Sequence, residues 1–332
     1  MISPQLSIKM RPEIISVNIF GIGFKHMSAF TQLALIGPTA SGKTALAIEL
    51  AKKNNANILS LDSLSIYKEI NIASAKPLLE ERDSIHHFGL DVLFPNEPFD
   101  VTTFIELYNQ AKIQSIKEKK NLILVGGTSF YLHILLLGIS EIPKISREAK
   151  EKSKTLLNNL TDAHTFLSKL DPLQMRTIAK NDKYRIEKML NLYFETNTTP
   201  TEYFKLNPPK RVIVDDLPIY EIEVPRDILR ERIKNRTLKM INDGLIDEVF
   251  YLEKNYTRKP NSMKAIGVKE VLKYLDGHYT KMEMQEKIIT HTAQLAKRQK
   301  TFNNSKFQQK ISLPLEELRS ILLENNSNYH VS

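Results

Sequence analysis

The sequence predicts an α/β fold, a parallel sheet core flanked by helices, with an all-helical subdomain inserted into it. Three observations carry that prediction. Short apolar runs at 33–36, 58–61, 121–125 and 219–224 have strand length, and the first and third are followed by glycine turns and then by apolar spacing typical of helices. The first run enters Gly37-Pro38-Thr39-Ala40-Ser41-Gly42-Lys43-Thr44, a G-x4-G-K-T pattern that opens a helix. From Pro143 to about Pro209 the texture changes to lysine-rich amphipathic segments with little alternation.

The glycine pattern sits in its expected strand, loop, helix context, so the core is P-loop NTPase-like. Gly37 and Gly42 allow backbone conformations closed to other residues, and the helix dipole places partial positive charge where a diphosphate would sit. Lys43 supplies a point charge for phosphates, and the Thr44 hydroxyl is the expected Mg2+ ligand. A plain Gly/Ser-rich turn would need none of this agreement between loop and flanks.

The second strand ends at Asp62-Ser63, on the sheet edge where open α/β sheets bind their ligands, so Asp62 is a functional candidate. It could instead cap the next turn or hold Mg2+ through water. The segment 62–77 reads as a site loop. His86 and His87 precede a strand expected over 88–92; neighbours on a strand point to opposite faces and no third ligand follows at metal spacing, so they read as structural.

Residues 102–117 have helical spacing, and the strand at 121–125 ends in Gly126-Gly127-Thr128, a second strand, glycine turn, helix arrangement. Thr128 lies where it could bond a ligand or simply cap its helix. Beyond the insertion, Arg232 and Arg236 are four apart on a helix, so both can face one phosphate, although a solvated basic face has the same spacing. The last long helix, 281–302, carries Gln294, Lys297, Arg298 and Gln299, for which a solvated face is the default. A short helix is expected near 315–323.

Composition bounds the answer. The chain has 332 residues, 42% of them hydrophobic, and can bury a sizeable core. No cysteine is present, which excludes disulfides and a thiol nucleophile and fits a reducing compartment. A formal charge of +9 favours an anionic partner. No apolar run approaches the roughly 20 residues that cross a bilayer. The expected organisation is an N-terminal extension over 1–30 outside the fold, a core at 31–142, the helical insertion at 143–209, the rest of the core at 210–306 and a tail at 307–332. Met27, just ahead of the first strand, is the expected start of translation, with 1–26 adding nothing to the fold.

These residues together resemble the tRNA dimethylallyltransferases over roughly residues 31 to 304. The phosphate loop, Asp62-Ser63 with Tyr67, Ser74-Ala75-Lys76-Pro77, His86-His87, Gly126-Gly127-Thr128 with Tyr131, Asn181-Asp182 with Arg185, Gly244-Leu245 with Glu248-Val249, Ile266-Gly267, and Gln294-Leu295-Ala296-Lys297-Arg298-Gln299 occur in that family's order. The resemblance implies transfer of a dimethylallyl group from dimethylallyl diphosphate to N6 of the adenosine just 3′ of the anticodon, position 37, in tRNAs reading codons that begin with U. Lys43, Arg232 and Arg236 would then stabilise the leaving diphosphate with Mg2+ on Thr44. Asp62 would take the amine proton, and Thr128 would assist in the reaction channel. Asp62, Ser63, Leu64, Ser65, Tyr184, Arg185, Ile186, Glu187, Lys188, Lys264, Lys269, Lys297 and Arg298 would touch tRNA. A cytoplasmic monomer with no membrane partner is implied. A small-molecule P-loop kinase or an RNA-binding GTPase switch would explain the loop, but not the insertion with the basic last helix, and no Asn-Lys-x-Asp sequence specifies guanine.

The chain departs from the family's usual residues at Phe302, where tryptophan is common, and at Asn303-Asn304, where an arginine often follows. Ser129 stands in place of glycine, Ser65 of glutamine, and Lys188 and Asn191 of arginine and glutamate. These positions concern contacts to tRNA rather than the reaction.

Overall fold

The computed structural model describes residues 30–215 and 217–324. The segment 1–26 and the expected start at Met27 lie outside the described residues. The chain divides into two compact units, one holding residues 99–107 and 128–217, the other the remaining described residues.

The larger unit is built on a six-stranded, all-parallel sheet in the order β3-β2-β4-β1-β5-β6. Its strands are β1 (Gln32–Ile36), β2 (Ala56–Ser60), β3 (His87–Phe88), β4 (Asn121–Gly126), β5 (Ile219–Glu223) and β6 (Ile311–Pro314). Parallel strands need crossovers, which leaves helices on the faces and buries the strands, and β1 is buried along its whole length. Helix α1 (Lys43–Lys53) packs Leu46, Ala47, Leu50 and Ala51 into the core formed with Leu35, Ile58, Ile123 and Ile222. Helix α2 (Val101–Lys117) precedes β4 and runs across the division between the units. The expected strand at 88–92 is confined to His87–Phe88, because Gly89 and Asp91 take positive φ and turn the chain away.

The smaller unit is helical: α3 (Ser129–Leu137), α4 (Arg147–Leu156), α5 (Leu160–Leu170), α6 (Pro172–Met175), α7 (Lys183–Thr196) and α8 (Pro200–Leu206). Its boundaries differ from the expected 143–209. Phe99 and Phe104 pack on Tyr131 of α3, with centroids 5.3 and 4.6 Å away, and the N–H groups of Val212 and Ile213 donate to Leu135 O. Those contacts draw α3 and the chain up to 217 into the helical unit.

The chain then supplies α9 (Arg226–Asn242), α10 (Leu245–Tyr256), a 3-10 turn at Asn261–Lys264, α11 (Val268–Leu275), α12 (Lys281–Lys306) and α13 (Leu315–Glu324). The residues beyond 306, expected to be a tail with one short helix, join the core. Strand β6 pairs with β5, and Leu318 and Leu322 are buried with α1. Residues 311–314 are too short and too mixed for a strand signal, and the open edge of β5 orders them.

Candidate active site

The strand register sets the site. Ile36 lies opposite Gly126 on β4, and Ser60 on β2 lies opposite Val125, so the segments that follow β1, β4 and β2 leave the same sheet edge side by side. The phosphate loop and Asp62 are therefore two strand spacings apart, about 10 Å at the backbone. Gly126 makes this possible. A Cβ there would lie 2.7 Å from Leu61 Cβ and 2.9 Å from Leu61 Cα, so only glycine lets β2 cross so closely on its way to Asp62.

Within the loop, Gly37 has φ 148 and Gly42 has φ 96, and Ala40 is also left-handed at φ 62. The loop bends through Ser41 N–H donating to Pro38 O at 3.3 Å. Gly42 caps α1 without a side chain, and the N–H groups of Gly42, Lys43 and Thr44 have no acceptor among the described residues. An open helix N-terminus of this kind attracts an anion through its donors and its dipole.

Lys43 is buried and folds back over the loop, donating to Pro38 O at 2.6 Å and to Ser41 Oγ at 3.4 Å. Burial and the neighbouring Arg236 pull its pKa down to about 7, against the opposing pull of Asp62 and Glu221. An incoming phosphate would restore its charge. Arg236, half-buried on α9, is held below its ordinary range by burial, with Asp62 opposing. Arg232, one turn earlier, reaches Ser41 O with Nη1 at 3.4 Å. The α9 arginines thus address the loop instead of forming only a solvated face.

Asp62 is half-buried, and its Oδ1 accepts from Leu64 N–H at 2.8 Å and Ser65 N–H at 3.2 Å. It does cap the following turn. The cap uses one oxygen, while Oδ2 accepts no hydrogen bond among the described residues, so the same bonds that satisfy the cap aim a second oxygen. Lys43 and Arg236 both feel its charge. Ser63 is exposed and Leu64 half-buried, whereas Ser65 is buried with its Oγ 3.0 Å from Ser60 Oγ. Ser65, expected to touch RNA, is instead a brace for this turn.

The site loop is held from behind. Glu248 on α10 accepts from the N–H groups of Asn71, Ile72 and Ala73 at 2.8, 2.7 and 2.9 Å. Buried Lys76 donates to Tyr67 O, to Asn71 Oδ1 at 3.1 Å and to Asp91 Oδ1 at 2.7 Å. Burial lowers the Lys76 pKa, and the bond to Asp91 opposes it. His86 stacks on Phe88 at 4.1 Å, and His87 Nδ1 lies 2.9 Å from Ile85 O, so both are spent on structure.

For Mg2+, Thr44 is exposed on the first turn of α1 beside Lys43 and has no side-chain partner among the described residues. No group of three or more His, Cys, Asp or Glu among the described residues could hold a metal alone. That donor set fits Mg2+, which prefers one or two protein oxygens with phosphate oxygens and water.

Other expected contact residues fall elsewhere. In the larger unit Lys264 is exposed and bonds Asn261, Lys269 lies 3.6 Å from Glu270, and Lys297 and Arg298 are exposed on α12. In the helical unit Tyr184 is 70% exposed, Lys188 lies over its ring at 5.5 Å, and Arg185 and Glu187 are also exposed. Ile186 is a correction: it is fully buried with Leu167, Met175 and Leu190, so its side chain belongs to that unit's core and not to an RNA surface. Thr128 is half-buried and starts the helical unit as the N-cap of α3 with no side-chain cap bond. Gln299, left on a solvated face by its charged neighbours, instead accepts a hydrogen bond from Thr39 N–H at 3.0 Å.

The IPP transferase family model matches residues 65–306. A tRNA dimethylallyltransferase of Sulfurovum sp. is 57% identical over 293 residues, covering 88% of this chain and 97% of that protein. One from Helicobacter pylori is 42% identical over 306 residues, 92% of this chain and 97% of its own. Among solved structures, the tRNA isopentenylpyrophosphate transferase of Bacillus halodurans aligns at 27% identity with a TM-score of 0.64, covering 91% of this chain and 100% of that one. A eukaryotic dimethylallyltransferase acting on tRNA, at 24% identity and a TM-score of 0.78, covers 89% and 77% and shares the fold. A phosphate loop facing one acidic strand end, in a chain aligned nearly end to end with such relatives, has one family assignment: this protein belongs to the IPP transferase family.

Proposed function

We propose that this chain transfers a dimethylallyl group from dimethylallyl diphosphate to N6 of the tRNA adenosine at position 37, next to the anticodon on its 3′ side, in tRNAs that read codons beginning with U. The observation that supports it most is Asp62, which shares one sheet edge with the phosphate loop and keeps one carboxylate oxygen unengaged within the field of Lys43 and Arg236. Prenyl transfer needs such a group, because a proton must leave the weakly basic amine as the new C–N bond forms.

In this reading the diphosphate lies on the open N-terminus of α1. The allylic C–O bond breaks, its electron pair leaves with the diphosphate, and Lys43, Arg232 and Arg236 stabilise the charge that gathers there. Thr44 would hold Mg2+, which adds electrophilic stabilisation of the same oxygens when bound. The adenine amine supplies the electron pair for the new C–N bond, and its proton passes to Asp62 Oδ2. Thr128 would assist the reaction, as the family resemblance implies. The base must leave its stack to reach the site, and Tyr184, Arg185, Lys188, Lys264, Lys269, Lys297 and Arg298 offer charge and one aromatic face to the surrounding RNA. Among the described residues no helix is long and apolar enough to cross a membrane. A monomer acting in the cytoplasm completes the proposal.

Incubation of the protein with unmodified tRNA and either labelled dimethylallyl diphosphate or γ-labelled ATP tests it directly. Label from the isoprenoid should appear in a single adenosine, with release of one diphosphate for each transfer. Label transferred from ATP, with none from the isoprenoid, would replace this reading with a kinase.

A further inference from the structure

Helix α12 turns two amide side chains inward, four residues apart and so on one face. Gln299 is the first. Its Oε1 accepts the Thr39 N–H at 3.0 Å, inside the phosphate loop, and its Nε2 rests against Gly127, where an added Cβ would overlap it. Asn303, the second, is fully buried and donates from Nδ2 to Glu221 Oε1 at 2.6 Å. Glu221 is buried too, accepts from Ser312 Oγ at 3.3 Å and pairs with Lys310 at 3.4 Å. Glu221 stands opposite Ile36 in the β1–β5 register, and Ile36 is the last residue before the loop. One helix face therefore grips the loop at its bend and, through β5, at its stem.

Turning amides inward in mid-helix is costly unless they are bonded; Gln299 is half-buried, and the Oδ1 of fully buried Asn303 has no partner among the described residues. Two apolar residues would pack this face with no such cost, so the amides serve the shape of what they hold. We propose that Gln299 is a positioning residue for the phosphate loop, fixing the Thr39 amide and the loop's donors for the substrate diphosphate, with Asn303 holding the stem. The proposal rests on the loop binding diphosphate, as set out above. Gly127 belongs to the same device: the absence of its side chain is what lets the Gln299 amide reach the loop.

The test compares Gln299→Met, which keeps the volume but removes the acceptor, with Gly127→Ala, which displaces the amide from a different element, and with the double variant. Binding of inorganic diphosphate with Mg2+ is measured by calorimetry, and prenyl transfer by steady-state kinetics with tRNA varied. Each single variant should lose diphosphate affinity about tenfold, the size of one hydrogen bond, and lower kcat, with KM for tRNA within about twofold. The double variant should be no worse than the weaker single one, because both remove the same contact. Wild-type diphosphate affinity in Gln299→Met, or losses that add in the double variant, would overturn the assignment. Failure of the wild-type protein to bind diphosphate would instead strike at the reading of the loop itself.

Discussion

The sheet unit and the helical unit spend their polar residues differently. In the sheet unit, polar side chains are drawn inward and act at a distance: Gln299, Glu248 and Lys76 on backbone at Thr39, 71–73 and Tyr67, and Asn303 on the Glu221 carboxylate. In the helical unit many stay local, although Asp171 also accepts from Thr201 and Glu195 accepts from Ser146 N–H. Ser146, Asn159, Asp171, Asp182 and Thr199 each cap the helix that follows, and the core is a small apolar cluster around Leu167, Ile186 and Leu190. The contrast teaches that chemistry here needs atoms held from several directions, whereas the surface proposed to face RNA needs only a stable platform that displays charge.

The comparison breaks most sharply at Asp62. Asp62→Asn should reduce turnover by about 10²–10⁴ while leaving tRNA affinity within about twofold, since a base is lost and no positive charge is. Near-normal turnover, measured with labelled isoprenoid, would remove Asp62 from the reaction.

Leu190→Ala makes the reverse cut. Emptying a fully buried site in the smaller core should cost about 2–5 kcal/mol, seen as hydrogen exchange opening across α5 and α7. Diphosphate binding by the sheet unit should persist while tRNA affinity falls. Loss of both together would mean that the units do not act separately.

A third prediction concerns pH. Lys43 titrates near 7 in the empty site, because burial and Arg236 disfavour its charge. Diphosphate binds the protonated form, so affinity is fully expressed below pH 7 and falls as pH rises above it, by up to about tenfold per unit until the pKa of the bound state is reached. Calorimetry between pH 6 and 9 should show proton uptake that Lys43→Ala lacks, the ligand's own ionisation being common to both.

The smallest effect belongs to the display surface. Lys188→Ala should weaken tRNA binding by about 1 kcal/mol or less and flatten the salt dependence by about 0.7 for one phosphate contact in single-stranded RNA. An unchanged slope would take Lys188 off the RNA.

Much of the core was legible because the physics that made it is local. Strand-length apolar runs, the loop glycines and the helix periodicity of α1 each lie within a few residues, and the loop's anion-binding logic follows from its own backbone. Asp62 could be placed at the working edge for the same reason: strand ends in a parallel sheet share one side. The sequence could not show which of its alternatives held, and the structure shows that Asp62 caps its turn with one oxygen and leaves the other unengaged.

Ile186 and Ser65 were misplaced because each sits among exposed or polar neighbours whose roles differ from its own, and only packing separates the residues of one turn. Strand β6 carries no periodic signal; a neighbouring edge orders it. Gln299 was hidden most completely, between Lys297, Arg298 and Lys300 on a basic stretch. By itself, then, the sequence determined most strands of the sheet, the loop and the edge where they meet, all products of short-range pattern. Tertiary structure alone decided which side chains turn inward to hold that loop, because a hydrogen bond between residues 39 and 299 exists only after the chain has closed between them.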